Sequence, residues 1–168
     1  LTRRVTVSAG ATLDLDLRLV HVATTLTPIV VTATRDARSL ADVPAAASVA
    51  DSTTIQSGRT AGLHEVLRLT PGVQATSRFG LDDVNLSIRG SGVRTTFGVR
   101  GVAVVVDGVP VTEPDGQTRL DIIELAAARQ VEVVRGPASA LYGGTAAGGV
   151  VNIISRAPED ARGVSARL

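Results

Sequence analysis

The sequence contains no cysteine, no lysine, no methionine and no tryptophan. Without cysteine the chain has no disulfide, no thiolate nucleophile and no cysteine-ligated metal. Without lysine it has neither the phosphate-binding lysine of a P-loop nor a lysine for Schiff-base chemistry, and all 17 basic residues are arginine. Because the initiator methionine is also missing, we expect the chain to be a fragment of a longer protein, with any secretory signal upstream of it.

Aromatic residues and long apolar runs are scarce. Phe79, Phe97 and Tyr142 make up the 2% aromatic content, and the apolar runs are too short for a membrane-spanning helix. The aromatic girdles and regular ten-residue strands of a transmembrane β-barrel are missing too, so we expect these residues not to cross lipid. The 17 basic and 16 acidic residues are interspersed and leave a net charge of +1, which argues against nucleic-acid binding.

The polar motifs do not match catalytic patterns. Residues 90–92 (Gly-Ser-Gly) have neither the Gly-x-Ser-x-Gly spacing of a nucleophile elbow nor the third glycine of a dinucleotide fingerprint. His21 and His64 have no partner at metal-ligand spacing, and Glu113 and Asp115 have no further support as an acid–base pair. We therefore predict no catalytic residues, no metal site and no cofactor.

Apolar periodicity predicts an α+β domain, with a small mixed β-sheet, short helices and an N-terminal β-strand extension over residues 5–22. Pro44 favours an edge position for the strand that follows it. Thr60 is a candidate N-cap for a helix that ends before Pro71 and Gly72. Residues 43–55 are predicted to form a short edge strand followed by a turn. The other predicted elements are strands over residues 85–90, 102–106, 109–111, 131–134 and 150–154, and helices over residues 60–69 and 119–129.

The densest motif is VVRGPASALYGGTAAGGVVNII at residues 133–154. Four of its glycines lie between residues 143 and 149, where the missing Cβ permits positive φ and close approach to another surface. Pro-Gly-Val at 71–73, Ile-Arg-Gly at 88–90 and Val-Asp-Gly-Val-Pro at 106–110 precede it in that order. This ordered set, within residues 28–158, resembles the plug domain of TonB-dependent outer-membrane receptors.

The resemblance implies a domain organisation and a function. Residues 1–27 resemble the tail of a carboxypeptidase-regulatory-like β domain with its linker. Residues 28–36 would form the TonB box and connector, residues 37–160 the plug, and residues 161–168 the start of the first barrel strand. The plug would gate a 22-stranded barrel in the outer membrane, with a periplasmic N-terminus, for active import of a ferric siderophore, cobalamin or similar scarce ligand. The alternative is a periplasmic plug-like interaction or signalling module without a channel.

The resemblance also implies partners and site residues. The TonB C-terminal domain would capture an extended segment by strand addition, comprising Ile29, Val30, Val31, Thr32 and Ala33. A small-molecule ligand such as a metal chelate would contact two loops, comprising Arg78, Phe79, Gly80, Arg94, Thr95, Thr96 and Phe97. Arg89 and Arg135 would contact carboxylates of the barrel wall, unless they are solvated charges at strand ends.

Overall fold

A computed structural model of the chain describes residues 9–10, 12, 29–57, 62–77, 84–93, 98–113, 117–118, 120 and 122–160. The strand extension over residues 5–22 lies almost wholly outside these ranges, and the barrel-strand start at residues 161–168 lies entirely outside them. The described strands are β1 (Val30–Val31), β2 (Arg38–Ser39), β3 (Ala46–Asp51), β4 (Val73–Ser77), β5 (Val84–Ile88), β6 (Val102–Val106), β7 (Val109–Pro110), β8 (Ala128–Arg135) and β9 (Gly149–Ser155). The described helices are α1 (Ser52–Ser57), α2 (Leu63–Arg68) and α3 (Ser139–Tyr142).

Five strands form the central sheet in the order β3-β8-β9-β6-β7. β6 and β9 are parallel, whereas the other neighbouring pairs are antiparallel, so the predicted small mixed sheet is confirmed. β3 lies at an edge of the sheet, as Pro44 predicted. Two further antiparallel pairs, β1–β2 and β4–β5, lie outside the central sheet.

The main core lies on one face of the central sheet. The inward side chains of the valine-rich strands pack against α2, whose buried residues Leu63, Val66 and Leu67 form one face of the helix, as their spacing predicts. The pair β4–β5 contributes Ala75, Val84, Leu86 and Ile88 to the same core. This face therefore supplies most of the apolar burial that stabilises the domain.

The opposite face of the sheet is covered by two smaller apolar clusters. The first joins Val31 and Ala33 near the N-terminus to Val43 and to Val134 on β8. The second joins Ala146 in the glycine-rich loop to a set of sheet residues comprising Ala103, Val105 and Val150. The N-terminal residues and the glycine-rich loop thus lie on the same side of the sheet.

The helix predicted over residues 119–129 is wrong. In the described part of this region a single 3₁₀ turn, Leu125–Ala127, leads directly into β8. Leu120 and Leu125 are buried while Ile122 is largely exposed, so the apolar residues do not share one helical face. Glu124 has an extended backbone, with φ −87° and ψ 101°, which is incompatible with a continuous α-helix through this residue. Its side chain accepts a hydrogen bond from the Ala126 amide at 3.0 Å and so caps the start of the 3₁₀ turn.

Several elements were not predicted. Residues 52–57 form α1, where the sequence predicted the turn after the edge strand, and β4 begins at the valine of the Pro-Gly-Val motif. The motif between residues 135 and 149 contains α3 and a 3₁₀ turn rather than a simple loop. The predicted N-cap residue Thr60 lies outside the described residues. No helix in the described ranges has both the length and the apolar character needed to cross a membrane.

Candidate functional site

The candidate site is built around residues 29–33, called here the N-terminal segment. Within the described part of the chain, Val30 and Val31 in β1 pair with the two-residue strand β2 alone, and the Leu40 amide donates to the Ile29 carbonyl at 2.8 Å. Ile29 and Val30 are 48% and 44% exposed, whereas Val31 and Ala33 are buried. The segment is therefore a short ribbon laid on the sheet face, with one side in solvent and the other anchored.

A tight turn follows the segment. The Arg35 amide donates to the Thr32 carbonyl at 2.9 Å, and Arg35 has a positive φ of 70°. Its guanidinium lies 4.7 Å from the centre of the Tyr142 ring, within cation–π range. Burial raises the pKa of the Tyr142 phenol above its ordinary value of 10.0, and the nearby Arg35 charge opposes that rise. The phenol therefore stays neutral at physiological pH. The contact between Arg35 and Tyr142 links α3 to the turn.

Glu132 on β8 is the central polar residue of the site. Its side chain is fully buried, and it faces away from the main core because its neighbours Val131 and Val133 occupy that face. Its carboxylate accepts the Thr32 amide at 2.9 and 3.0 Å and the Ala33 amide at 2.7 Å. Two successive backbone amides of the N-terminal segment therefore donate hydrogen bonds to one buried side chain.

Gln130 and Asn152 complete the hydrogen bonding of this carboxylate. The Gln130 amide nitrogen donates to Glu132 and to the Val30 carbonyl, at 2.8 Å in each case. The Asn152 amide nitrogen donates to Glu132 and to the Thr32 hydroxyl, at 3.1 Å in each case. The Thr32 hydroxyl also lies 3.3 and 3.4 Å from the two carboxylate oxygens. Every group bonded to this carboxylate in the described chain is thus a neutral donor, which offsets the cost of its burial. We call Glu132, Gln130, Asn152 and Thr32 the Glu132 network.

A cleft of about 520 Å³ adjoins the network. Asn152 is only 4% exposed and presents to its surroundings a carbonyl oxygen that has no hydrogen-bond partner among the described residues. The cleft is lined by Thr32, Arg35, Asp107, Gly108, Arg129, Tyr142, Asn152 and Ile154. The N-terminal segment therefore borders a cleft, among the described residues, on this side.

The two arginines predicted to contact the barrel wall differ in environment. Arg89 is exposed and has a positive φ of 51°. Arg135 is partly buried, and its guanidinium donates to the carbonyls of Ala46 at 3.3 Å, Ala47 at 3.5 Å and Pro71. Arg135 therefore connects β8, β3 and the turn after α2 within the domain, whereas the Arg89 side chain is directed to the surface.

The seven residues predicted to contact a ligand lie outside the described ranges, in two groups at 78–80 and 94–97. The structure describes only the chain on either side of them. The ladder of β4 and β5 ends at the pair Ser77 and Val84, which brackets the first group. Before the second group, the Ser91 hydroxyl donates to the Gly101 carbonyl at 3.2 Å, at the start of β6. The described chain that flanks the second group, at Ser91 and Gly101, therefore lies near the start of β6, opposite the end where Val30 meets Gln130.

The sequence analysis missed Glu132, Gln130 and Asn152. A signal was available, because Glu132 interrupts a run of valines in a predicted strand. A carboxylate at such a position needs several hydrogen-bond donors. The donors come from residues 100 and 99 positions earlier and from residue 152, so spacing along the chain does not reveal them. Within the described residues, no group of three or more histidine, aspartate and glutamate side chains could hold a metal ion.

The chain is similar to known proteins in sequence. A family profile described as the TonB-dependent Receptor Plug Domain matches residues 39–150. The chain is 32% identical over 136 residues to the vitamin B12 transporter BtuB of Vibrio vulnificus (strain CMCP6), covering 80% of this chain and 22% of that protein. It is 32% identical over 124 residues to the hemin receptor of Yersinia enterocolitica, covering 74% of this chain and 17% of that protein.

Solved structures show the same relationship. The ferric citrate transporter FecA in its unliganded form superposes with a TM-score of 0.57 at 32% identity, covering 67% of this chain and 18% of that one. The chain thus spans about a fifth of the length of the relatives it matches. The profile match covers well over half of the chain, in the region that contains the central sheet and its motifs. The chain therefore belongs to the family of TonB-dependent receptor plug domains.

Proposed function

We propose that this plug gates an outer-membrane receptor that imports a scarce small molecule, and that the TonB C-terminal domain captures the N-terminal segment from the periplasm. The observation that supports this most directly is the position of residues 29–33. They form a marginal two-stranded ribbon on the sheet surface and take no part in the central sheet. A partner can therefore remove them without breaking a ladder of the central sheet.

Strand addition is the mode of capture that fits this segment. Among the described residues, β1 has one strand neighbour, β2, and on its other edge the Val30 carbonyl accepts from the Gln130 side chain. Ile29 and Val30 are half-exposed, so a partner can contact them before the rest of the segment moves. A second chain would then form main-chain hydrogen bonds along the extended residues and receive alternate side chains in its pockets.

The receptor's barrel is the second partner in this proposal. Residues 161–168 would begin it, and residues 1–27 would be the tail of a carboxypeptidase-regulatory-like domain on the periplasmic side. Arg89 is the better placed of the two candidate wall contacts because its side chain is exposed. A planar guanidinium at this position suits bidentate pairing with a wall carboxylate in the polar lumen.

The imported ligand would reach the plug from the opposite side. The chain flanking residues 94–97 lies near the start of β6, away from the end where the N-terminal segment enters. Relatives are named for vitamin B12, hemin and ferric citrate, which are metal chelates. We accordingly assign the ligand to this chemical class, with residues 78–80 and 94–97 as its contacts on the plug. The relatives are named as transporters and receptors, which favours import without covalent catalysis over a channel-free signalling module.

The proposal is tested by binding of a synthetic peptide of residues 27–37 to an isolated TonB C-terminal domain, measured by calorimetry. Val30→Pro should abolish binding because proline removes a ladder donor and fixes φ. Ala37→Pro in the same peptide is the matched control, since residue 37 lies beyond the segment. Equal affinity of the Val30→Pro and unmodified peptides, or no binding of the unmodified peptide, would rule out strand addition at these residues.

A further inference from the structure

We infer that Glu132 is the anchor that keeps the N-terminal segment unavailable to TonB until the receptor releases it. This inference rests on the proposed function and names the residue that would control it. The carboxylate of Glu132 is the main polar attachment between the sheet and residues 32–33, through both backbone amides and the Thr32 hydroxyl.

The anchored and captured forms of the segment exclude each other. In an extended strand, successive amide N–H groups point to opposite edges, so a pairing partner reaches only every second one. Here the Thr32 and Ala33 amides converge on one carboxylate, and the chain turns immediately afterwards through the bond from the Arg35 amide to the Thr32 carbonyl. Residues 32 and 33 therefore cannot extend a ladder with TonB while both remain bound to Glu132.

N–H donors surround both oxygens of the Glu132 carboxylate, so both positions must be occupied by a hydrogen-bond acceptor. One oxygen lies 2.8 Å from the Gln130 amide nitrogen, and the other lies 2.7 Å from the Ala33 nitrogen and 3.1 Å from the Asn152 amide nitrogen. Glutamine has the shape of glutamate but replaces one oxygen with an NH₂ group. In either orientation that group would point its hydrogens at other donors. Glu132→Gln should therefore weaken the anchor without opening a cavity in the sheet.

The hydrogen bonds to Glu132 can hold the segment on the sheet, and they involve few enough residues for the segment to be released without unfolding the domain. Charge-assisted hydrogen bonds are roughly twice as strong as neutral ones. The other contacts of the segment among the described residues include the two-residue pairing with β2 and the Leu40 bond to Ile29. They also include the Gln130 bond to the Val30 carbonyl, the Asn152 bond to the Thr32 hydroxyl and the small apolar cluster around Val31 and Ala33. Weakening the anchor should therefore shift the population of the segment towards the released form rather than unfold the domain.

Hydrogen–deuterium exchange of the full-length receptor without ligand tests the inference. In Glu132→Gln, the amides of residues 31–33 should exchange roughly tenfold faster or more, the factor expected from the loss of one charge-assisted hydrogen bond. Glu124→Gln is the matched control, because it makes the same chemical change at an exposed carboxylate that caps the Leu125–Ala127 turn, and exchange of residues 31–33 should be unchanged.

The TonB C-terminal domain should also bind the ligand-free Glu132→Gln receptor roughly tenfold more tightly than the wild type. Unchanged exchange at residues 31–33 in Glu132→Gln would overturn the inference.

Exchange in β6 and β9 reports whether the sheet itself survives the substitution. Exchange in β6 and β9 that accelerates together with residues 31–33 would mean that Glu132→Gln disturbs the sheet. A second variant, Ala33→Pro, then tests the anchor, because it removes one of the two amide donors and leaves β8 unchanged. Faster exchange of Thr32 in Ala33→Pro with an unchanged sheet would support the anchor, and unchanged exchange would overturn it. If the segment is released in these variants but the 27–37 peptide does not bind TonB, the role of Glu132 as an anchor is supported and TonB is excluded as the partner. Failure of the inference can thus be distinguished from failure of the proposed function.

Discussion

Asp51 shows how a single side chain sets the start of an element. One of its carboxylate oxygens accepts the Thr54 amide at 2.8 Å, the Thr54 hydroxyl at 2.7 Å and the Thr53 hydroxyl at 2.8 Å, immediately before α1. These bonds, chiefly that from the Thr54 amide, hold the pKa of Asp51 below its ordinary value of 3.8. The carboxylate thereby caps the first turn of the helix, as an N-cap aspartate does.

Asp51→Ala should lower the free energy of unfolding by about 1 kcal/mol at neutral pH because the cap is lost. A group with a lowered folded-state pKa contributes stability above its unfolded value of 3.8 and loses it as the pH falls through the lower folded value. Asp51→Asn should keep most of the cap but lose this pH dependence. Urea denaturation at neutral pH and below pH 3.8 measures both effects. Equal acid dependence in the wild type and Asp51→Asn would contradict the assignment.

Arg135 joins three backbone carbonyls, at Ala46, Ala47 and Pro71, and this sets it apart from the exposed Arg89. Arg135→Lys should lower the free energy of unfolding by about 1 kcal/mol, because an ammonium lacks the planar fork that reaches separate acceptors. Arg89→Lys is the matched control and should change it by less than about 0.5 kcal/mol. Urea denaturation of the two variants provides the measurement, and equal effects would argue against an internal role for Arg135.

The glycine-rich motif forms an element whose backbone lies directly on its neighbours. A Cβ at Gly149, where φ is +152°, would lie 2.4 Å from the Val134 carbonyl oxygen, and one at Gly148 would lie 2.3 Å from the Ser91 Cβ. Gly144 in the same motif has open space around it. The motif therefore needs glycine at its sheet-facing end, whereas glycine is sterically dispensable at Gly144.

Gly149→Ala should destabilise the domain by about 1–3 kcal/mol, because the Val134 carbonyl on the neighbouring strand β8 would have to move. Gly144→Ala should change the free energy of unfolding by no more than about 0.5 kcal/mol. Thermal and urea denaturation compare the two variants directly. A tolerated alanine at position 149 would show that β8 and the start of β9 are not packed as closely as described.

Across the whole molecule, the described structure contains one large core and two small clusters on the other sheet face. The central strands β8, β9 and β6 have partners on both edges and are mostly buried on both faces. The ribbon β1–β2 has a single two-residue ladder. Local stability should therefore be highest in the middle of the central sheet and lowest in the ribbon.

Native-state hydrogen exchange at single-residue resolution should reproduce this order. Amides of β8, β9 and β6 are expected to exchange only through global unfolding, while those of β1 and β2 exchange through local opening at low denaturant. The dependence of each rate on urea concentration separates the two routes. Equal protection of the ribbon and the central strands would mean that the N-terminal segment is an integral part of the cooperative unit, contrary to its proposed capture by TonB.

Much of the fold was predictable because its signals are local. The valine-rich strands, the Asp-Gly turn between β6 and β7 and the apolar face of α2 each depend on neighbouring residues. The helix predicted over residues 119–129 failed because the apolar residues there serve different contacts, with Leu120 and Leu125 buried and Ile122 exposed. The candidate site was only half predictable. Residues 29–33 were singled out by the resemblance to plug domains, whereas Glu132 belongs to the site only through partners about 100 residues away.

The sequence by itself determined that this chain is an α+β plug domain with an extended segment ahead of it, because ordered motifs and apolar periodicity are properties of neighbouring residues. Only the tertiary structure decided that the segment is docked, that its amides converge on Glu132, and that Arg135 bonds within the domain while Arg89 is exposed. Those features arise when the sheet brings β8 and β9 beneath residues 32–33. A buried carboxylate needs hydrogen-bond donors, but these can come from any part of the chain that the fold brings near it. The positions of the donors in the sequence therefore follow no regular spacing.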